Sequence, residues 1–586
     1  MLNFFELKQK LPLANSDFGF LRKNGKCYVD KTEYIYQLAL DNQPLILTRP
    51  RRFGKSTLLS TLEELFLHGV EPYDGHDSYF KGLAIEDKWH DQNQYLVLRL
   101  NFQNINRQCK TAAQFEQKLI LRISDFCQKQ QFVLPEKLLD FSMYLEALLE
   151  QLSYGSLVLL VDEYDAPLVR HLNDEAELKA YQELLEALFG LVKDYTEKFR
   201  CVFFTGITRF QDLGLGTAGN SFTDISLQSS FGACCGYTRE EIRETFAEHL
   251  RYAAAVRLGC RAEEITESQI DALLDEMAEW YDGFCFDQHD RSKVFSTWSV
   301  LRFFSDADAT LTPYWATEEG LGLPQLLKKT MERMDLSKLL NDISKGNIQT
   351  EHLRFLQSAV TNPEANPYAL LYQAGYLTLN RAFLSNGVMH LAPPNREISI
   401  ALANLVATRL FRKNFLYTAD YALRTVDVLA SLDPQRIQAH FNELFAAFPY
   451  QNYPVRSESM VAAVIHSFLM GAGLMTCCEQ SESRGRSDAL IDLKQHKLTI
   501  VFEYKYEQSA SSEALDTKLN EALKQVKDRD YAHNAHSEPK LARFALVFCG
   551  EKSQRRLARV ELVQRITSFF TFSSANCRYL CFYSER

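Results

Sequence analysis

The sequence predicts an α/β protein with an N-terminal parallel sheet flanked by helices, a helical middle region and a second α/β domain at its C-terminus. Three observations support this fold class. An apolar run at 44–47 precedes a basic loop, the string Gly54-Lys55-Ser56 and a helical repeat. A continuous apolar run at 157–161 ends in two carboxylates, as expected of a strand buried on both faces. Near the C-terminus, several strand-like runs surround one helical pattern between 474 and 549.

The length and composition of the chain indicate several globular domains. At 586 residues it is too long for a single core, so we expect two to four domains. Hydrophobic residues make up 46% and charged residues 24%, which is typical of a globular rather than a disordered chain. The net charge is −10 and neither half is basic, so any nucleic-acid site has to be a local basic patch.

The cysteines and the apolar segments bear on the compartment. The 13 cysteines include no CxxC pair, so we expect reduced thiols in a cytoplasmic protein and no zinc site. The N-terminus lacks a basic segment followed by an apolar core, so no signal peptide is predicted. The most apolar long window, 460–475, contains His466 and is too short to span a bilayer. We therefore expect no membrane partner.

The loop that follows the first apolar run has the composition of a phosphate-binding loop. Strand, loop, Gly-Lys-Ser and helix form the context that such a loop requires. Free backbone N–H groups at the start of the helix, together with its dipole, attract phosphate oxygens. Lys55 can reach the terminal phosphates as a point charge, and the Ser56 hydroxyl can bind Mg²⁺. The nucleotide-binding residues predicted in this loop are Arg52, Phe53, Gly54, Lys55, Ser56 and Thr57.

One position of the loop departs from the P-loop pattern. Arg49 stands where the pattern has its first glycine, five residues before Gly54. The alternative interpretation is a basic strand-to-helix turn in which Gly-Lys-Ser occurs by chance. Support for a nucleotide site therefore has to come from further along the chain.

The apolar run at 157–161 ends in Asp162 and Glu163, which is typical of a Walker B strand. The runs ahead of it are predicted as a strand at 95–102 and helices at 111–129 and 136–151. Ligands of open α/β sheets bind at the carboxyl ends of the strands. We predict that Asp162 holds Mg²⁺ and that Glu163 acts as the general base on the attacking water, with Asp165 a weaker candidate for this region. The alternative is a buried strand with a charged exit, but the presence of both motifs in one chain favours a nucleotide site.

A third strand is predicted at 199–206, after a helix at 178–195. It ends in Thr205, and a polar residue at the end of a strand beside Walker B can hydrogen-bond the γ-phosphate or the attacking water. Arg209 follows closely. Three interpretations of Arg209 stay open: contact with phosphate in the same chain, contact with a neighbouring subunit, or a structural salt bridge.

The middle of the chain is predicted to be structural. Residues 231–310 are expected to be mainly helical, with Thr238 and Glu241 forming a capping box. The aromatic runs at 280–284 and 295–300 are interpreted as core packing. The segment 311–450 alternates helical runs with loops and contains no catalytic constellation.

A second candidate site lies near the C-terminus. Asp488 begins one predicted strand, and Glu503 and Lys505 share a face of the next because side chains alternate along a strand. Two carboxylates favour Mg²⁺ or Mn²⁺, and Lys505 can position or activate the attacking water. An amphipathic sheet with scattered charge is the alternative. The predicted elements are a helix at 457–470, strands at 474–479, 485–493 and 498–506, a helix at 519–526 and a strand at 544–549. The ordered set is Glu458, Asp488, Glu503, Lys505 and Gln525, with Glu458, Asp488 and Glu503 as metal ligands.

These motifs together resemble a bacterial family of predicted AAA-ATPase-like proteins with a C-terminal PD-(D/E)XK nuclease-superfamily domain. The likeness rests on Tyr28-Val29-Asp30-Lys31-Thr32, the string from Arg49 to Ser56, Val161-Asp162-Glu163-Tyr164-Asp165, Trp280-Tyr281-Asp282-Gly283-Phe284, and the block from Gly485-Arg486-x-Asp488 to Glu503-Tyr504-Lys505. An arginine-rich loop in place of the first P-loop glycine is usual in that family, which accounts for Arg49. The resemblance implies a P-loop AAA-like ATPase core at 1–230, a helical lid and linking region at 231–450, and a restriction-endonuclease-like α/β domain at 451–586.

The function expected from the motifs and the resemblance is ATP binding and hydrolysis coupled to a metal-dependent nuclease that acts on DNA or RNA. ATP and Mg²⁺ are the expected cofactors, with Mn²⁺ as an alternative ion at the C-terminal site. A second interpretation is a nucleotide-dependent switch whose nuclease-like domain binds nucleic acid or protein without cleavage. A third, a scaffold with degenerate sites, is disfavoured by Lys55, Asp162 and Glu163. A homo-oligomer is compatible with all three.

Overall fold

A computed structural model of the chain describes most of its residues and divides it into two compact units. The described residues are 10–13, 15–171, 174–208, 222–289, 292–317, 348–351, 367–383, 388–411, 419–446, 455–472, 474, 476–477, 480–482, 485–487, 489–493, 496–529, 540–552 and 555–566. The first unit comprises Met1–Glu332 and Thr350–His390, and the second comprises Arg333–Gln349 and Leu391–Arg586. Of the predicted site residues, Arg209 and Asp488 lie outside the described residues.

The first unit is built on a five-stranded sheet in the order β2-β3-β4-β1-β5, and every neighbouring pair in it is parallel. Its strands are β1 (Leu45–Thr48), β2 (Leu96–Asn101), β3 (Leu157–Asp162), β4 (Phe199–Gly206) and β5 (Thr223–Asp224). All six residues of β3 are buried, as the continuous apolar run predicts. Because the strands are parallel, all their carboxyl ends lie at one edge of the sheet, and the predicted α/β fold class is confirmed.

Helices connect the strands of the first unit. They are α1 (Phe18–Lys23), α2 (Thr32–Leu40), α3 (Lys55–His68), α4 (Phe102–Asn106), α5 (Ala112–Lys129), α6 (Phe141–Gln151), α7 (Ala166–Arg170) and α8 (Glu175–Asp194). Helix α6 begins later than predicted, because Asp140 adopts an extended backbone and its carboxylate accepts the Met143 N–H at 3.0 Å.

The region after β5 is mainly helical, as predicted. Its helices are α9 (Arg239–Thr245), α10 (Ala247–Leu258), α11 (Glu267–Tyr281), α12 (Thr297–Ser305) and α13 (Tyr314–Thr317), with two short paired strands, β6 (Phe284–Cys285) and β7 (Lys293–Val294). The capping box between Thr238 and Glu241 opens α9. Tyr281 and Phe295 are buried in the apolar core of this region, so part of each aromatic run packs as expected.

The described part of the segment 311–450 contains strands besides helices. These elements are β8 (Ile348–Glu351), α14 (Pro367–Gln373), β9 (Thr378–Phe383), β10 (Val388–Ala392), α15 (Arg396–Phe411), α16 (Ala419–Ala430) and α17 (Pro434–Ala446). Prediction from helical runs and loops alone missed the three strands.

The second unit contains another five-stranded sheet, in the order β11-β14-β15-β16-β17, in which only β15 and β16 are parallel. Its elements are α18 (Glu458–Gly471), β11 (Thr476–Cys477), the hairpin β12 (Gln480–Glu482) and β13 (Gly485–Ser487), β14 (Ala489–Leu493), β15 (Leu498–Glu507), α19 (Ser512–Arg529), β16 (Lys540–Cys549) and β17 (Arg556–Ile566). The predicted order of helix, strands, helix and strand is observed. The predicted strand at 485–493 corresponds to β13 and β14, and β12 and β17 are additional.

No helix in the described ranges is both long enough and apolar enough to cross a bilayer.

Candidate functional site

The loop between β1 and α3 has the backbone of a strand-to-helix turn closed by glycine. Gly54 precedes the first residue of α3 with φ 92°, a left-handed conformation that side chains rarely adopt. Arg52, two residues earlier, also has positive φ, at 67°. The first helical residue is Lys55, so the side chain predicted to reach phosphate begins the helix itself.

Lys55 lies folded against its own loop. Its Nζ donates to the carbonyl oxygens of Arg49 and Pro50, both at 3.0 Å, and the residue is buried. Burial lowers the pKa of Lys55, while the carboxylates of Glu163 and Asp162 act in the opposite direction. The ammonium is therefore held at the loop by neutral carbonyls that an anionic ligand can replace.

Asp162 is the point where three strands and the loop helix meet. One carboxylate oxygen accepts from the Ser56 hydroxyl at 2.7 Å and from the Asn101 amide at 3.3 Å, and the other accepts from the Thr205 hydroxyl at 2.7 Å. Asp162 is completely buried at the end of β3. The predicted Ser56, Asp162 and Thr205 thus come together, and Asn101 joins them although sequence reasoning did not select it.

Glu163 occupies a strained and enclosed position beside Asp162. Its φ is 52°, unusual for a residue with a side chain. Burial, opposed by the Lys55 ammonium and aided by Asp162, raises the pKa of Glu163 to about 7. With its amide nitrogen turned towards Glu163, the Gln103 side chain donates to both carboxylate oxygens. Perturbed carboxyl groups of this kind are frequent at functional sites.

Asp165, the weaker candidate for the base, instead ties β3 to β4. One of its oxygens accepts from the backbone N–H groups of Ile207 at 3.0 Å and Thr208 at 2.8 Å, and from the Thr208 hydroxyl at 2.7 Å. A Cβ on Gly206 would lie 2.7 Å from the other oxygen, so the chain passes close by. Asp165 is buried and its hydrogen bonds serve the fold.

Replacement of Asp165 by alanine is expected to lower the free energy of unfolding of the first unit by about 2–4 kcal/mol, because three donors lose a buried acceptor. All four tryptophans, Trp89, Trp280, Trp298 and Trp315, belong to that unit, so urea unfolding followed by tryptophan fluorescence reports on it. Asp125→Ala, on the exposed side of α5, is the control and should change little. Equal stability of the two variants would show that Asp165 does not tie the strands.

Arg49, Arg52 and Phe53, in the same loop, make contacts with segments further along the chain. Arg49 donates to the carbonyls of Thr48, Ser226 and Phe231 at 2.6–2.9 Å, and its guanidinium lies over the Phe286 ring. Arg52 stacks on the ring of Trp298 with 4.3 Å to its centroid. The Phe53 ring packs against Phe284 and Phe286. Arg49 stands at the position where the P-loop pattern has a glycine, and it holds the loop in place by hydrogen bonds to backbone carbonyls outside the loop.

A cavity of about 270 Å³ adjoins the loop. Four predicted nucleotide-binding residues line it, namely Arg52, Phe53, Gly54 and Thr57. Its other walls come from residues that sequence reasoning did not assign to a site, including Tyr28, Lys31, Cys234, Cys235, Tyr237 and Trp298. Two sequence signals touch this wall: the string from Tyr28 to Thr32, which is part of the family likeness, and the aromatic run at 295–300, which core packing explains equally well. Spacing along the sequence does not reveal the cysteines.

The second candidate site lies in the second unit. Lys505 Nζ is 3.3 Å from a Glu503 carboxylate oxygen and 3.2 Å from a carboxylate oxygen of Glu458, and it also donates to the Tyr504 carbonyl. Glu503 and Lys505 are buried on β15, and Glu458 begins α18 at the surface. Three of the predicted residues therefore converge. Gln525 lies on α19. Among the described residues, no three His, Cys, Asp or Glu side chains are grouped closely enough to hold a metal ion.

Comparisons with known proteins match two segments of the chain. Residues 12–216 match the family model described as "Predicted AAA-ATPase", and residues 456–556 match the model described as "PD-(D/E)XK nuclease superfamily". The resemblance inferred from the motifs is confirmed in both segments. The first segment contains β1 to β4 and the loop, and the second contains Glu458, Glu503 and Lys505.

Similar whole chains extend the comparison. A protein of Azotobacter chroococcum mcd 1, described as an uncharacterized protein in the vnfD 5′ region, is 27% identical over 546 residues, which cover 91% of this chain and 95% of that protein. The crystal structure of Cdc6p from Pyrobaculum aerophilum is similar at 12% identity and TM-score 0.21, covering 65% of this chain and 93% of that one. The Orc1 protein of Aeropyrum pernix in complex with DNA is similar at 13% identity and TM-score 0.22, covering 64% and 91%. Neither TM-score is high enough to support an argument.

Proposed function

We propose that this chain binds ATP with Mg²⁺ at the carboxyl edge of the first sheet and hydrolyses it. The observation that carries the proposal is the convergence of Ser56 and Thr205 on Asp162, next to Lys55 and Glu163. The match of residues 12–216 to a predicted AAA-ATPase model supports it. Phosphate release from ATP, measured with Mg²⁺ and again after chelation by EDTA, tests it: we expect turnover that chelation abolishes.

Each side chain of the site has a proposed part. The ammonium of Lys55 leaves the carbonyls of Arg49 and Pro50 for the terminal phosphates, while backbone N–H groups at the start of α3 bind phosphate oxygens. Thr205 hydrogen-bonds the γ-phosphate or the water. Arg209, by its sequence position, is proposed to contact phosphate in the same chain or from a neighbouring subunit of a homo-oligomer.

The donor set fits a hard divalent ion. Ser56 and Asp162 offer oxygen ligands that already lie 2.7 Å apart, and oxygen is what Mg²⁺ prefers. When bound, Mg²⁺ neutralises charge that develops on the phosphates during transfer. We propose that Ser56 and Asp162 hold the ion.

Glu163 is proposed as the general base. Its carboxylate lies beside the phosphate loop, and its raised pKa suits a group that takes a proton from water near neutral pH. The Gln103 amide, which donates to both of its oxygens, holds the carboxylate in place.

A second proposed activity belongs to the second unit: metal-dependent cleavage of DNA or RNA. The convergence of Glu458 and Glu503 on Lys505 favours it, and the match of residues 456–556 to the nuclease superfamily supports it. Glu458, Glu503 and, from its sequence position, Asp488 would hold Mg²⁺ or Mn²⁺, which polarises the phosphodiester and supplies an activated water. Lys505 orients that water. The alternative is a nucleotide-dependent switch in which this domain binds nucleic acid or protein without cleavage.

Lys505→Ala and Glu503→Gln are expected to lower cleavage of single- and double-stranded DNA and RNA by about 100-fold or more, because each removes a group that acts on the attacking water or on the metal. Gel assays with Mn²⁺ and ATP measure this, and ATP turnover should be kept in both variants. Lys540→Ala, an exposed lysine at the start of β16 that pairs with Leu498 and so lies at the far end of the strands from Lys505, should cleave normally. If the unaltered protein cleaves none of these substrates, the switch is the better account.

A further inference from the structure

Two adjacent cysteines, Cys234 and Cys235, form part of the wall of the cavity beside the phosphate loop. Both are free thiols. The cavity, at about 270 Å³, is several times the volume that one water molecule takes up in the liquid, so small solutes can enter it. A third cysteine, Cys27, lines the same cavity and serves as an internal reference.

Cys234 lies next to a positive charge. The Arg49 guanidinium approaches the Cys234 sulfur to 3.8 Å, and Lys31, which is ion-paired with Glu241, donates to the carbonyl of Ala233, the preceding residue, at 2.7 Å. Burial alone would raise the pKa of Cys234, but the hydrogen bond from Cys235 and the charge of Arg49 outweigh it and lower that pKa to about 7. Donation of the same hydrogen bond, together with burial, raises the pKa of Cys235. Burial raises the pKa of Cys27 to about 11.

The segment that carries the pair is tied directly to the phosphate loop. The N–H of Gly236 donates to the carbonyl of Phe53 at 2.9 Å, one residue before Gly54. Gly236 has φ 86°, and a Cβ there would lie 2.5 Å from a methyl of Val294. The Val294 side chain therefore blocks movement of the segment away from the loop in that direction. Because Arg49, the first residue of the loop, contacts both Cys234 and the Thr48 carbonyl at the end of β1, an added group on the Cys234 sulfur either enters the cavity or disturbs this contact.

We propose that Cys234 is a peroxide-reactive thiol whose oxidation to the sulfenic acid blocks nucleotide binding at the adjoining loop. The blocking part rests on the proposed ATP site. In the reaction, the thiolate sulfur attacks the terminal O–H oxygen of a hydroperoxide, a sulfur–oxygen bond forms and the oxygen–oxygen bond breaks. The sulfur loses two electrons, the peroxide gains them, and the leaving hydroxide or alkoxide takes up the proton that the thiol released to solvent. Cys235 acts as a positioning residue that donates its S–H to the thiolate.

Labelling of the full chain tests the thiol itself. The protein is treated with hydrogen peroxide, sulfenic acids are trapped with dimedone, and labelled peptides are quantified by mass spectrometry. We expect Cys234 to be labelled at least about 100-fold faster than Cys27 at neutral pH, since the thiolate is the reacting form. Prior addition of ATP should slow the labelling. Equal rates at Cys234 and Cys27 would overturn the proposal.

Calorimetric ATP titration before and after peroxide tests the blocking. Affinity of the unaltered protein should fall by at least about tenfold after oxidation and recover with dithiothreitol. The ratio of the two affinities should be near one for Cys234→Ser and unchanged from the unaltered protein for Cys27→Ser, the matched control. Full ATP affinity in protein that is oxidised at Cys234 would overturn the proposal that oxidation blocks nucleotide binding. If Cys234→Ser does not fold, the ATP affinities of the unaltered protein before and after peroxide decide. Absence of ATP binding before any treatment would overturn the proposed ATP site instead, while the labelling rates would still decide whether Cys234 is the reactive thiol.

Discussion

The Lys55→Ala variant is expected to bind ATP about 100-fold more weakly than the unaltered chain, or worse. Lys55 begins α3 at the loop, and in the proposed complex its ammonium pairs with the terminal phosphates. Loss of one partner of a desolvated, charged hydrogen bond costs about 2–5 kcal/mol, which corresponds to a factor of about 30 to several thousand in affinity. Calorimetric titration of ATP in the presence of Mg²⁺ measures it.

Thermal unfolding without ligand separates this effect from damage to the fold. The buried ammonium contacts only loop carbonyls among the hydrogen bonds of the described residues, so its removal should leave the midpoint of unfolding unchanged or slightly higher. ATP should raise the midpoint of the unaltered chain and not that of the variant. Lys81→Ala, which removes an exposed lysine paired with Asp77, should behave like the unaltered chain in both measurements. Unchanged ATP affinity in Lys55→Ala would refute the phosphate-loop assignment.

The Glu163→Gln variant is expected to bind ATP but hydrolyse it about 100-fold more slowly or worse, within the range for loss of a positioned general base. The amide keeps the size of the side chain and its place beside Gln103, but it cannot take a proton from water. Steady-state phosphate release measures the rate of hydrolysis, and calorimetric titration in parallel measures the ATP affinity. Removal of a carboxylate next to Asp162 also removes a like-charge contact, so ATP affinity should not fall.

Glu183→Gln provides the matched control for this variant. Glu183 is an exposed glutamate on α8, and its substitution should change neither affinity nor turnover. If Glu163→Gln hydrolyses ATP at the normal rate, Glu163 is not the base. Asp165 would then be a poor replacement, because its carboxylate is occupied by Ile207 and Thr208.

The core of the first site was predictable because its signals are local. A strand buried on both faces is apolar throughout, and the residues of β3 are all apolar up to Asp162. Parallel pairing then brings the ends of β1, β3 and β4 to one edge, which is why Ser56, Asp162 and Thr205 meet as expected. For Glu503 and Lys505 the alternation of side chains along one strand was enough.

Contacts between distant segments were not predictable in the same way. Asn101 reaches Asp162 from β2, and nothing in its own neighbourhood distinguishes it from any polar residue at the end of a strand. The role of Arg49 depends on carbonyls of Ser226 and Phe231, far along the chain. Strand β5 has only two residues, too few for a periodic pattern. Cys234 lines the cavity because the fold brings its segment next to the loop, and no local sequence pattern marks it.

The most direct test of the account is a calorimetric titration of ATP with Mg²⁺ into the unaltered chain. The account predicts saturable binding at one site per chain, weakened when EDTA removes the metal, because Ser56, Asp162 and Lys55 converge at one loop. No detectable binding of ATP would contradict it.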